Sequence, residues 1–221
     1  MRLLSTKILS KGFRGRLLLH QFSLVEQSFI QTHPLENIDL PPDFDAVIFT
    51  SSKAVEVVFS RHEIAEQIGG KPIYCVGKKT AALLAKNDQK VVKIAQNSSE
   101  LAHFLVKNTK NESFLYCCGK LRTPDLEHIL PLHGVVLHAV EVYNTRLLKH
   151  KVKGHFDGLL FFSPSAVRAY AANNDFAETH SFCLGNTTAK EVASHTAQYS
   201  VAKSPDEAQL LLSIKKHFTL I

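Results

Sequence analysis

Two short segments with the chemistry to hold an anion occur twice in this chain, in the same order. Phe49-Thr50-Ser51-Ser52-Lys53-Ala54-Val55 returns as Phe161-Phe162-Ser163-Pro164-Ser165-Ala166-Val167. Cys75-Val76-Gly77-Lys78-Lys79-Thr80-Ala81 returns as Cys183-Leu184-Gly185-Asn186-Thr187-Thr188-Ala189. In each, an apolar run gives way to small, hydroxyl-bearing or glycine residues and then to a helix-like stretch, so each reads as a strand, a tight turn and a helix N-terminus. The first backbone N–H groups of a helix lack intrahelical partners, and such a junction accepts carboxylate or phosphate without a charged side chain. The candidate ligand-binding residues are therefore Thr50, Ser51, Ser52, Gly77 and Thr80 in the first copy, and Ser163, Ser165, Gly185, Thr187 and Thr188 in the second. The same hydroxyls also suit helix capping alone, and the sequence leaves both uses open.

Other chemistry is poorly represented. There is no GxxxxGK[ST] or GxGxxG phosphate fingerprint and no G-x-S-x-G elbow. Neither Cys117 nor Cys118 has a histidine beside it, and the 12 histidines are dispersed without metal-ligand spacing, so no metal is expected. Cys118-Gly119-Lys120-Leu121-Arg122 follows a strand and reads as opening a helix. Lys120 and Arg122 then sit near the cleft beside free N–H groups, where cations oppose the helix dipole and an anionic ligand would offset the misfit; Gly119 and Lys120 are the candidate binding residues here. Tyr143 ends a long strand at a connector, where its phenol either faces a gap between domains or makes a structural hydrogen bond.

The elements that must position these residues alternate. Runs at 45–50, 72–76, 90–94, 113–117 and 135–143 read as strands, with helices at 52–60, 78–86, 98–107 and 123–132 between them. Such alternation predicts parallel strands with crossover helices. Ser98 or Ser99 suits the cap of the third helix, and Pro124 the first turn of the fourth. A weaker third repeat pairs the segment 98–105 with 204–211.

Later in the chain only three strands are legible, at 155–162, 180–184 and 198–202, with helices at 165–172, 187–195 and 205–217. The two missing strands are available at the N-terminus, at 2–8 and 24–32, around a helix at 12–21. The expectation is an α/β protein of two similar, three-layer, parallel-sheet domains: residues 1–34 with 150–221, and residues 37–146. A two-stranded linker stiffened by Pro34, Pro41 and Pro42 would join them, with the repeated turns at the carboxyl ends of the strands, where ligands of open α/β sheets bind.

The 221 residues carry 26 Lys and Arg against 20 Asp and Glu, a net charge of +6 that favours an acidic partner through its field. The cations are scattered and do not interleave with aromatics, which argues against nucleic acid. The four cysteines show no paired spacing and read as reduced, partly buried thiols. No run approaches a membrane span. Residues 1–25 lack acidic groups, as a transit peptide does, but Leu3-Leu4 and Leu17-Leu18-Leu19 fit a first strand and helix; a cytoplasmic monomer is the expectation.

Taken together, FTSSKAV, YCVGKKTAALL, LYCCGKLRTPDL, VEVYNT, FFSPSAV, CLGNTTAKEV and KSPDEAQLLLSI resemble, in order and spacing from about Phe44 to Leu212, the uroporphyrinogen-III synthase family. The resemblance implies two flavodoxin-like domains, the first discontinuous, and a cofactor-independent hydro-lyase of tetrapyrrole and haem biosynthesis. Its substrate would be hydroxymethylbilane, a linear tetrapyrrole with eight carboxylates, closed with loss of water and inversion of ring D. It further implies that the ligand lies between the domains on backbone N–H groups, that Thr80, Thr188, Ser163 and Ser165 line the site, and that Tyr143 assists departure of the hydroxyl. Ser5-Thr6-Lys7 departs from the family's Thr-Arg, Lys7 keeping the charge but losing the bidentate fork for a carboxylate, and Ser52 stands where proline is common. A non-catalytic two-lobed module binding a small polyanion is the competing expectation.

Overall fold

The computed structural model describes residues 1–218. The chain opens with β1 (Arg2–Ser5), α1 (Lys11–Leu19) and β2 (Ser23–Glu26), followed by β3 (Ile30–Pro34). The single strand expected over 24–32 is thus two strands. Glu26 accounts for the break: its carboxylate accepts the Leu9 N–H at 2.7 Å and pairs with Arg14 at 2.7 Å, while Phe29 is driven fully into the core. β4 (Ala46–Phe49), α2 (Ser52–Phe59), α3 (His62–Ile68), β5 (Ile73–Val76), α4 (Lys78–Lys86), β6 (Val91–Ala95), α5 (Ser98–Asn108), β7 (Ser113–Gly119), α6 (Asp125–Leu132) and β8 (Val136–Leu147) come next. The chain ends with β9 (Gly158–Phe161), α7 (Pro164–Ala171), β10 (His180–Cys183), α8 (Asn186–Ala193), β11 (Tyr199–Val201) and α9 (Glu207–His217). The short α3 is absent from the sequence reading; it buries only Ile64 and Ile68, one turn apart in an otherwise charged stretch.

The fold comprises two compact units. One is Met1–Gln31 with Arg146–Ile221, of which 219–221 lie outside the described residues; the other is Thr32–Thr145. The chain passes from one to the other inside β3 and again inside β8. The sheet order is β11-β10-β9-β1-β2 in the first unit and β3-β8-β7-β4-β5-β6 in the second. The pairs among β4 to β8, and all those of the first sheet, are parallel.

Matching β4 with β9, β5 with β10, β6 with β11, β7 with β1 and β8 with β2 makes the two orders the same, β3 being an added edge. The β1-α1-β2 segment therefore does at the start of the chain what β7-α6-β8 does in the second unit. Each sheet is apolar on both faces, as covered parallel sheets are. Val47 and Phe49 pack into one cluster and Ala46 and Ile48 into another; Leu4 and Phe161 likewise oppose Leu3 and Leu160.

The repeated turns share their caps. Ser51 accepts the Lys53 N–H and Ser163 the Ala166 N–H, so these matched serines each begin a helix. The third repeat is real but shifted by three residues. Its caps are Asn97, accepting from Glu100, and Asp206, accepting from Gln209, and the buried Leu101, Ala102 and Leu105 correspond to Leu210, Leu211 and Ile214. Ser98 and Ser99 lie inside the helix and do not cap it. Accordingly, Asn97→Ala and Asp206→Ala are each expected to destabilise by about 1 kcal/mol, whereas Ser98→Ala and Ser99→Ala stay within about 0.5 kcal/mol, as read from urea unfolding.

Candidate active site

In each sheet the chain direction of the strand order reverses beside the first strand of the repeat, between β4 and β7 and between β9 and β1. Such reversals open a crevice beyond the carboxyl ends of the strands. In the Thr32–Thr145 unit, Thr50 and Ser51 leave β4 while Gly119 ends β7. Thr50 Oγ1 hydrogen-bonds Tyr116 Oη at 2.9 Å, and Tyr143 Oη donates to Ser51 Oγ at 3.2 Å. The Tyr143 ring crosses directly over Gly119, so that a Cβ there would lie 2.4 Å from Cζ and 2.7 Å from Oη. Only a glycine can floor this phenol. Burial raises the pKa of Tyr143, the Ser51 hydrogen bond opposes the rise, and the phenol is protonated at neutral pH.

The structure therefore brings together Thr50, Ser51, Gly119 and Tyr143 from the sequence-predicted set. Ser52 is the first residue of α2 and half-buried. The segment after Cys118 differs from its sequence reading. α6 starts only at Asp125, so Lys120 lies on a turn, exposed, with its N–H bonded to Tyr143 O at 3.0 Å. Arg122, two residues on, is fully engaged: Nε and Nη2 meet Glu127 at 2.8 Å each, and Nη1 meets Glu141 at 2.8 Å and Gly119 O at 3.1 Å. Its cation is held by the protein's own carboxylates, which tie the turn to α6 and to β8 just before Tyr143. Glu127, in the first turn of α6, has its pKa lowered, first by its hydrogen bond to Arg122.

α4 and α8 begin differently. Gly77 and Gly185 stand at their N-caps with no side-chain cap, so the N–H groups of Lys78–Thr80 and Asn186–Thr188 start helices without an internal acceptor. Gly77 has φ +85, in the left-handed region that favours glycine. Thr80 and Thr188, at matching third positions, are buried, whereas Thr187 is exposed. In the unit built from the chain ends, Ser163 caps α7 and Ser165 follows in its first turn. Lys7, beyond the end of β1, lies 4.1 Å from the centre of the Phe162 ring and 3.9 Å from Glu207.

All four cysteines are free and buried, and burial raises each thiol, Cys75 to about 11 and Cys118 and Cys183 to about 12, so none is a nucleophile at neutral pH. Among the described residues no cluster of three or more His, Cys, Asp and Glu is arranged to hold a metal ion, and no helix is long and apolar enough to cross a membrane. A groove of about 500 Å³ between β11 and α9, lined in part by Ser200, Leu212 and Lys215, contains none of these site residues.

Two doubly covered, parallel-dominated sheets of matching strand order, with cap-free helix starts at matched strand ends, define an α/β protein of duplicated design. Uroporphyrinogen-III synthase HemD is the family whose model matches residues 13–211, and the chain belongs to that family. Two solved structures carry the same fold. The uroporphyrinogen-III synthetase from Helicobacter pylori is 22% identical, with a TM-score of 0.71, over 98% of this chain and 100% of that one. A mutant uroporphyrinogen III synthase from the extremely thermophilic bacterium Thermus thermophilus is 13% identical, with a TM-score of 0.68, over 100% of both chains.

The Arg122 brace predicts a pH effect. Because the folded pKa of Glu127 lies below its ordinary 4.5, its stabilisation is present above that value and lost as pH falls through the folded pKa. Glu127→Gln is therefore expected to melt below the wild type at pH 7, with the gap closing below about pH 4, as followed by thermal unfolding across pH.

Proposed function

We propose that this chain closes hydroxymethylbilane to uroporphyrinogen III, with loss of water and inversion of ring D, in tetrapyrrole biosynthesis. The observation that carries the reading is the pair of cap-free helix starts after β5 and β10, at matched places in a chain whose family is that of the synthase. A substrate with eight carboxylates needs many modest anion contacts, and backbone N–H groups at helix starts supply them without lysine or arginine at each point. Each unit carries such groups: Lys78–Thr80 and the Ser51 turn in one, Asn186–Thr188 and the Ser163–Ser165 turn in the other.

The chemistry suits such a site. A hydroxymethylpyrrole ionises readily to an electrophilic azafulvene, so making the electrophile is not the principal barrier. Choosing the carbon that attacks is. Unaided closure joins the free ring position and leaves ring D as it was; inversion requires the substituted carbon to attack first, through a spirocyclic intermediate. Holding reacting atoms in a near-attack arrangement contributes up to about 7–11 kcal/mol, and interactions with remote carboxylates are a source of that positioning. Tyr143, protonated beside the reversal of the sheet, is the source of the proton for the departing hydroxyl.

In the same proposal the enzyme acts as a cytoplasmic monomer, without metal or organic cofactor and without a nucleic-acid partner. Supplying hydroxymethylbilane and separating the oxidised porphyrins is expected to give the type III isomer; type I alone, at the spontaneous rate, would leave a polyanion-binding module instead. Tyr143→Phe is expected to slow type III formation roughly 10- to 100-fold without abolishing it, because positioning persists. Complete loss in a folded variant would contradict that division of labour.

A further inference from the structure

Tyr143 and Ser51 occupy unequal positions. The tyrosine is 8% exposed, whereas Ser51 is half-buried at the open turn after β4. Ser51 Oγ accepts two hydrogen bonds, from Tyr143 Oη at 3.2 Å and from the Lys53 N–H at 3.1 Å. A serine hydroxyl has two acceptor lone pairs and one proton. With both lone pairs engaged, Ser51 is left as a donor, and among the described residues its proton has no acceptor. The phenol cannot relax away from this geometry toward β7, because its ring rests on Gly119, and β8 is tied at Glu141 to Arg122.

We infer that Ser51 is the hydroxyl that gives a proton to the substrate and that Tyr143 resupplies it, the phenol acting through the serine. The inference rests on the cyclase reading above. In the first step the C–O bond of the hydroxymethyl group breaks, its electron pair staying on oxygen. That oxygen takes the Ser51 proton and leaves as water, while Ser51 takes the Tyr143 proton. Positive charge then resides on the azafulvenium and negative charge on the tyrosine oxygen. When the last carbon–carbon bond forms, the proton released from the pyrrole carbon returns through Ser51 to Tyr143. One water is lost and the enzyme is restored.

Asparagine caps helices as well as serine does, so Ser51→Asn keeps the start of α2 while removing the hydroxyl that relays; Ser51→Thr keeps both. Steady-state kinetics with hydroxymethylbilane, read as type III product, are expected to show kcat reduced roughly 10- to 100-fold in Ser51→Asn with KM within about threefold, and most of the rate recovered in Ser51→Thr. Ser51→Asn with Tyr143→Phe should be no slower than the worse single variant, within about threefold, because both break one chain. Thermal unfolding checks folding, and Ser51→Gly, which costs the cap only a few tenths of a kcal/mol, serves the same test if the asparagine variant fails to fold. Ser51→Asn turning over like the wild type, Ser51→Thr as slow as Ser51→Asn, or losses that multiply in the double variant would each overturn the relay. A wild type yielding only type I porphyrin would overturn the cyclase reading itself, and the relay with it.

Discussion

Backbone N–H groups that a helix cannot satisfy for itself are the interaction on which the rest of this structure depends. At α2 and α7 serines satisfy part of that demand, whereas at α4 and α8 glycine caps leave it open. The parallel sheets fix where these groups stand, because a crossover helix must begin just past the carboxyl end of its strand. Duplication of the plan then supplies a second set from a second sheet of the same order. A polycarboxylate is a fitting ligand for such an arrangement, since many partial charges match many carboxylates and none needs a buried countercharge, which would carry a desolvation cost of several kcal/mol.

The phenol at the reversal of the second sheet is held by three local facts that reinforce one another. Gly119 removes the Cβ that would collide with the ring, Ser51 accepts the phenolic hydrogen bond, and Arg122 ties the intervening turn to the strand carrying Tyr143. Arg122 looks like a substrate-binding cation in sequence, but its guanidinium spans Glu127 and Glu141. Its contribution is therefore rigidity.

Much of the fold was legible because buried parallel strands are short apolar runs and their crossover helices are separated by turns; α4 was bounded at Lys78 and Lys86 from sequence alone. The failures have physical causes. Glu26 breaks an apolar run through contacts to Leu9 and Arg14 that sequence spacing does not reveal, and α3 buries too few residues to show a period. Pairing Ser98 with Ser204 put the third repeat three residues out of register, because helix caps and buried faces are what the two copies share. At the site, the repeated turns announced Ser51 and Ser163 as helix starts. The bond from Tyr143 to Ser51 joins residues 92 apart, and Arg122 meets Glu141 across 19, so neither was available from local pattern.

The most direct test of the anion-binding account is amide hydrogen exchange, read by NMR, with and without uroporphyrinogen III kept in its reduced form. The account predicts slowed exchange at Lys78–Thr80 and at Asn186–Thr188, the starts of α4 and α8. Protection at neither segment in the presence of saturating ligand would contradict it.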